Sequence, residues 1–174
     1  VTSTPERAAG TAGCTPHIER RAFDHPDAVR LVAQVQAEYV VRYGGPDEAP
    51  IDAGEFAEGR GAFFVGYLGP EAVATGAWRW HAVPEGMEPG PCAEIKRMYV
   101  AAEHRQRGLA RLMLARLEES AREAGVARMI LETGGRQPEA IALYESGGYV
   151  PIAGYGYYAG GDLSRCYGKA LCGL

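Results

Sequence analysis

What this chain lacks narrows its class before any motif is considered. No apolar run approaches the roughly 20 residues that a membrane-spanning helix needs, so no membrane partner is expected. Positive charge is in deficit: 18 Lys and Arg stand against 22 Asp and Glu, for a formal net charge of −4. The arginines are scattered rather than gathered into a patch, which argues against a nucleic-acid partner. Lysine is nearly missing, with 2 against 16 arginines, a bias that reads as codon usage rather than function. The cysteines Cys14, Cys92, Cys166 and Cys172 lack the paired C-x-x-C spacing of a metal framework. Cys92 and Cys166 fall in strand-like stretches and are expected as buried thiols. His81 and His104 have no partner at a metal-like or triad-like spacing, so no metal is expected. Neither G-x-G-x-x-G nor G-x-x-x-x-G-K-[ST] follows a strand, which excludes the common nucleotide folds. Residues 1–15 lack the basic start and apolar centre of a secretory signal. They read as a flexible Thr/Ala/Gly-rich tail, and the cytoplasm is the expected location.

What is present suits one domain over residues 16–174: 174 residues with 47% hydrophobic content can build a real core. Residues 17–23 read as a strand. Ala28, Leu31, Val32, Val35 and Tyr39 then recur at helical spacing. Pro26 suits the first turn of that helix, with Asp24 or His25 as cap, and Gly44-Gly45-Pro46 stops it. A short helix is expected around 52–57. Strands follow at 62–68 and 72–80, joined by a turn at Gly69-Pro70-Glu71. A strand at 92–101 leads into a helix reaching about Ala124, with Leu109, Leu112, Met113, Leu117, Ala121 and Ala124 on one face. A short strand at 129–132, a helix at 138–146 and strands at 149–152 and 163–171 complete a mixed α/β order.

The most informative stretch is Arg105-Gln106-Arg107-Gly108-Leu109-Ala110, between a strand and a helix. The first N–H groups of a helix have no intrahelical partner, and the macrodipole adds about half a positive charge there. Gly108 and Ala110 are small enough for a close approach, so a diphosphate-bearing ligand fits the pattern.

Arg105-x-x-Gly108-x-Ala110 resembles the acyl-CoA signature Q/R-x-x-G-x-G/A of the GNAT superfamily, the acetyl-CoA-dependent N-acetyltransferases. Ala140-Ile141-Ala142-Leu143-Tyr144-Glu145-Ser146-Gly147-Gly148-Tyr149 is similar to that superfamily's second motif. One departure stands out: Gln137 occupies a position that is often Asn. The resemblance covers roughly residues 18–171. It implies a splayed mixed sheet with acetyl-CoA, as co-substrate, in the V between the strands at 92–101 and 129–132. Backbone groups of Met98, Tyr99 and Val100 would meet the pantetheine arm or the thioester carbonyl, much as an added strand would. N–H groups of Arg105, Gln106, Arg107, Gly108, Leu109 and Ala110 would cradle the pyrophosphate, and the side chain of Arg105 or Arg107 is a further candidate for a phosphate. Gln137 completes the expected cofactor set, and a homodimer is common among such proteins.

Acetyl transfer to an amine requires the amine to lose a proton. An alkylamine with a pKa near 10 is neutral in only about 1 in 1,000 molecules near pH 7, which is roughly 4 kcal/mol of barrier. Glu94, eleven residues before Arg105, matches the offset of the catalytic glutamate in histone-type members and is the candidate base, acting directly or through a water. Strict alternation puts Glu94, Lys96, Met98 and Val100 on one side of the strand and Ile95, Arg97 and Tyr99 on the other. A buried carboxylate also invites pairing with Lys96, Arg97 or Arg79. Tyr144 matches the tyrosine that reaches the CoA sulfur and is the candidate acid. Tyr39, Tyr43, Trp78, Trp80 and Tyr157 are the candidates for holding the acceptor, a primary amine of a small molecule or peptide; Asp47, Glu48, Asp52, Tyr155 and Tyr158 lie in the same stretches. A CoA-binding module without catalysis and a transferase for another acyl group are the alternatives.

Overall fold

A computed structural model describes residues 15–171, so all but the last residue of the tail expected over residues 1–15, with Cys14, and Cys172 near the other end lie outside the described residues. The first strand, β1 (Pro16–Arg20), leads into α1 (Pro26–Tyr43). Pro26 opens α1 where its missing N–H costs nothing. His25 rather than Asp24 is the cap, its Nδ1 accepting the Asp27 N–H at 3.2 Å. Gly44 closes the helix in the left-handed region at φ 84°, donating its N–H to the Val40 carbonyl. A single turn, Ala53–Phe56, follows, with Asp52 and Glu55 forming a capping box.

The remaining elements are β2 (Gly61–Leu68), β3 (Glu71–His81), β4 (Cys92–Val100), α2 (Leu109–Glu123), β5 (Arg128–Gly134), α3 (Pro138–Ser146), β6 (Val150–Pro151) and β7 (Ser164–Ala170). They form one seven-stranded mixed sheet in the order β1-β2-β3-β4-β5-β7-β6. Only the β4–β5 pair is parallel. Helices cover both faces. Ala28 and Leu31 of α1 pack with Phe56, Phe63 and Val65 on one face. On the other, Leu109, Met113, Leu117 and Ala121 of α2 repeat every four residues, the spacing of one helical stripe, and pack with Phe64, Trp78 and Ile95. Among the described residues, no helix is long and apolar enough to cross a membrane.

Two irregularities of β4 shape the site. The first is a fork. β4 and β5 pair only through Cys92↔Arg128, Ala93↔Met129, Glu94↔Ile130 and Ile95↔Leu131. Beyond that pair, residues 96–100 and 132–134 diverge, which is the splayed sheet expected from the motifs. The second is a β-bulge. Ala77 faces Lys96 but Thr75 faces Tyr99, so β4 advances three residues while β3 advances two. Arg97 takes the slack at φ 54°, sparsely used by non-glycine residues. The buried Thr75 hydroxyl donates to the Arg97 carbonyl at 2.8 Å and fixes the bulge.

The bulge overturns the alternation expected along this strand. Glu94 and Lys96 do share the α1 side, but Met98 and Val100 turn to the α2 side and Tyr99 to the α1 side. One inserted residue reverses the facing of everything after it.

Candidate functional site

A cleft of about 1550 Å³ opens at the fork, walled by α1, the two diverging arms, the turn before α2, and α3. One end of it is the start of α2. Gly108 is the N-cap at φ 78° with no side-chain cap, leaving the first N–H groups of a 15-residue helix free for an anion. A Cβ at Gly108 would meet nothing within 4 Å, so glycine is needed there for its backbone conformation rather than for space. Arg105, Gln106, Gly108, Leu109 and Ala110 line the cleft, as do Met98, Tyr99, Val100 and Gln137.

The arginines of the turn differ from expectation. The Arg105 guanidinium is committed within the protein: Nε donates to the Val100 carbonyl at 2.9 Å, Nη2 pairs with Glu38, and the group lies over the Tyr99 ring. Arg107 is exposed and is not among the cleft-lining residues. The backbone of the turn is therefore the part of it left open to an anion. Glu38 also pairs with Arg42 at 2.7 Å, and Arg42 pairs with Glu139. This network joins α1 to α3 and to the turn across one wall of the cleft.

The arm of β4 beyond the fork has no strand beside it on the β5 side, so its backbone groups there are open to a ligand that pairs like a strand. Tyr144 lines the cleft and packs edge-to-face on Tyr149 at 5.8 Å. Burial pushes its hydroxyl above the ordinary value, so it stays protonated and able to donate at neutral pH. Gln137 begins α3 and accepts the Thr133 hydroxyl at 3.0 Å.

Glu94 does not line the cleft. It sits one pair behind the fork, 2% exposed, and every direction from its carboxylate is occupied. Arg79 donates twice to Oε2, at 2.8 and 3.0 Å. Lys96 lies 3.1 Å from Oε1, and the buried Tyr155 hydroxyl donates to the same oxygen at 3.3 Å. Arg79 in turn pairs with Glu55. The pairing anticipated with Arg79 and Lys96 is present; Arg97 turns instead to Asp47.

Of the aromatic candidates for the acceptor, Tyr39 and Tyr43 line the cleft. Burial pushes the Tyr39 hydroxyl up to about 12, against the nearby Arg97 charge. Three other aromatic candidates fall elsewhere. Trp78 is buried on the α2 face and donates to Ser120 at 3.1 Å. Trp80 packs on Trp78 along the same face, away from the cleft. Tyr157 is 58% exposed and outside the cleft lining; its neighbour Tyr158 lines it instead. The Tyr158 hydroxyl donates to Asp47 at 3.0 Å and accepts the Glu48 N–H at 2.8 Å, tying the late glycine-rich loop to the loop after α1. Burial alone would raise the Asp47 carboxyl, but the Arg97 hydrogen bond and charge outweigh it and hold it below its ordinary value.

Sequence reasoning assigned no role to Glu132, Thr133 or Ser164, which also line the cleft. The available signal was a carboxylate directly after the buried run Met129-Ile130-Leu131, where burial without a partner is costly.

This arrangement, an uncapped helix start beside an unpaired strand edge at a fork, has counterparts among known proteins. The acetyltransferase (GNAT) family model matches residues 29–149. The uncharacterized N-acetyltransferase YjgM of Escherichia coli (strain K12) is 35% identical over 135 residues, 74% of this chain and 78% of that protein. An IAA acetyltransferase of Azospirillum brasilense is 38% identical over 82 residues; the match spans 47% of this chain and only 54% of that relative. A solved Klebsiella pneumoniae structure assigned as an acyl-CoA N-acyltransferase superposes with a TM-score of 0.75 at 27% identity, covering 91% of this chain and 99% of the other. The bulged fork, the bare start of α2 and the match over most of the chain lead to one conclusion: this chain belongs to the GNAT family of acetyltransferases.

Proposed function

We propose that the chain transfers the acetyl group of acetyl-CoA directly to the primary amine of a small molecule or peptide. The observation that carries this reading is one continuous cleft holding an anion-ready helix start, an open strand edge and a protonated tyrosine. The residues fit the co-substrate. N–H groups at the start of α2 would hold its pyrophosphate. Backbone groups of the open β4 arm, at Met98 and Val100, would pair with the pantetheine amides. When bound, acetyl-CoA supplies an activated acyl group as a thioester.

The chain's own side chains do the rest. Tyr144 donates its hydroxyl proton toward the departing sulfur. At the bulge Arg97 and Met98 have no partner residue on β3, and the N–H of Met98 or Tyr99 is the donor that polarises the thioester carbonyl. Glu94 serves as a positioning residue: its carboxylate is saturated by Arg79, Lys96 and Tyr155, and it anchors Lys96 at the fork.

An amine-library screen that reads released CoA thiol tests the reading. Amine-dependent release is expected, with acetyl-CoA alone raising the melting temperature. Thermal stabilisation by acetyl-CoA without amine-dependent release would replace the transferase by a CoA-binding module. Tyr144→Phe is expected to lower kcat by about 10-fold or more while KM for acetyl-CoA stays within about 2-fold. Unchanged kcat would leave Tyr144 as a packing residue.

A further inference from the structure

The fork places two carboxylates in opposite circumstances. Glu94 lies behind the last β4–β5 pair, and Glu132 is the first residue of β5 beyond it, directly after Leu131↔Ile95. Lys96 is its counterpart on β4. Glu132 points to the same side as Ile130 and Glu94, toward the late loop, where a Cβ on Gly156 would come 3.9 Å from its Oε2. Its Oε1 accepts the Ser164 hydroxyl.

The other carboxylates at the cleft are accounted for. Asp47 is paired with Arg97, Glu38 with Arg42 and Arg105, and Glu139 with Arg42. Glu48 and Asp162 are exposed. Among the described residues, Glu132 is the one half-buried carboxylate on the cleft wall with no cation in ion-pair contact. A carboxylate withdrawn from water without a cation has an unmet electrostatic demand. A primary ammonium meets it with charge and N–H donors together.

We infer that Glu132 binds the ammonium of the acceptor and takes its proton. This rests on the transferase reading above and adds the residue that selects a cationic acceptor. In the step, one N–H bond of the ammonium breaks and an O–H bond forms on the Glu132 carboxylate. Nitrogen keeps the electron pair and becomes nucleophilic, and the carboxyl returns its proton to solvent through the open cleft.

The surroundings favour proton uptake by Glu132 more than water does. The groups facing Glu132 are Lys96 and Glu94 from β4, Asp47 from the loop after α1, Tyr155 from the late loop, and Ser164 and Cys166 from β7. Burial, first of all, lifts the Glu132 carboxyl above its ordinary 4.5, with Glu94 and Asp47 adding to the rise and Ser164 and Lys96 opposing it. A raised value brings a carboxylate closer to the proton affinity that general-base work requires.

The test compares Glu132→Gln with the wild type, using 2-phenylethylamine, an ammonium near neutral pH, and aniline, which is neutral there. For 2-phenylethylamine, kcat/KM is expected to fall at least about 10-fold, and the acidic limb of its pH profile should flatten. For aniline the loss should stay below about 3-fold, because no ammonium needs holding. KM for acetyl-CoA should be unchanged in both. Glu132→Asp, which keeps the charge on a shorter arm, should recover part of the loss and serves if the glutamine variant does not fold. Equal losses for the two amines, or an unaltered pH profile, would overturn the role of Glu132 while leaving the transferase standing. A wild type that releases no thiol with any amine would remove the transferase reading, and Glu132's role with it.

Discussion

Behind the fork and beyond it, the same two strands make two different environments. Behind it, β4 and β5 are paired, and Glu94 is 2% exposed with two cations and a tyrosine hydroxyl on its oxygens. Beyond it the ladder is open, and Glu132 has a single hydroxyl partner on a cleft wall. The difference teaches that a carboxylate's work is set by what surrounds it. A saturated carboxylate holds structure, because a proton arriving there must displace a cation. An unsaturated one at a cleft is free to take a ligand's charge.

The largest effect is expected from breaking the closed side. Arg79→Met leaves Glu94 buried with two of its four polar contacts gone and removes the cation from Glu55 as well. Loss of about 3–5 kcal/mol of stability is expected, read by denaturant unfolding. Glu132→Gln should change stability by no more than about 0.5 kcal/mol. If the two variants lose equal stability, the contrast between the two sides is gone. A middle effect is expected at the bulge that separates them. Thr75→Val removes the hydroxyl holding the Arg97 carbonyl and should cost about 1–3 kcal/mol, with weaker acetyl-CoA binding seen by thermal shift. No change in either would mean that the bulge holds without Thr75.

Smaller effects belong to the late loop that Tyr158 ties to Asp47 and Glu48. Tyr158→Phe removes the donor to Asp47 and the acceptor of the Glu48 N–H. About 1 kcal/mol of stability and a modest rise in acceptor KM are expected, with kcat kept. The smallest effect is a pH dependence. The Asp47 carboxyl is held below its ordinary 3.8, so its contribution to stability is complete above that value and is lost as pH falls through the lower folded value. Asp47→Asn should therefore narrow the fall in melting temperature between neutral and strongly acidic solution. An unchanged acid dependence would count against the Asp47–Arg97 pair.

Much of the architecture was legible because punctuation residues set it. Pro138 and Gly147-Gly148 bounded α3 at Pro138–Ser146, as read from the sequence. Pro26 and Gly44 did the same for α1. The anion-ready turn was legible for a similar reason: a strand followed by Gly108 and a helix start is a local pattern. The bulge was not. Its positive φ falls on an arginine, and the hydroxyl that fixes it comes from a residue 22 positions away in sequence. Counting by twos therefore misplaced Met98 and Val100. Trp78 and Trp80 were misjudged because an aromatic on a two-sided strand can serve either face, and packing against α2 decided it. The saturation of Glu94 was only partly visible. Lys96 and Arg79 could be named, but their simultaneous reach depends on the β3–β4 register.

The most direct measurement sets the pH–rate profiles of Glu94→Gln and Glu132→Gln beside the wild type, with 2-phenylethylamine as acceptor and acetyl-CoA saturating. Glu132→Gln should lose the acidic limb, while Glu94→Gln should keep its limb and lose stability instead. The reverse pattern, with the limb lost in Glu94→Gln and kept in Glu132→Gln, would contradict the division of labour drawn from the fork.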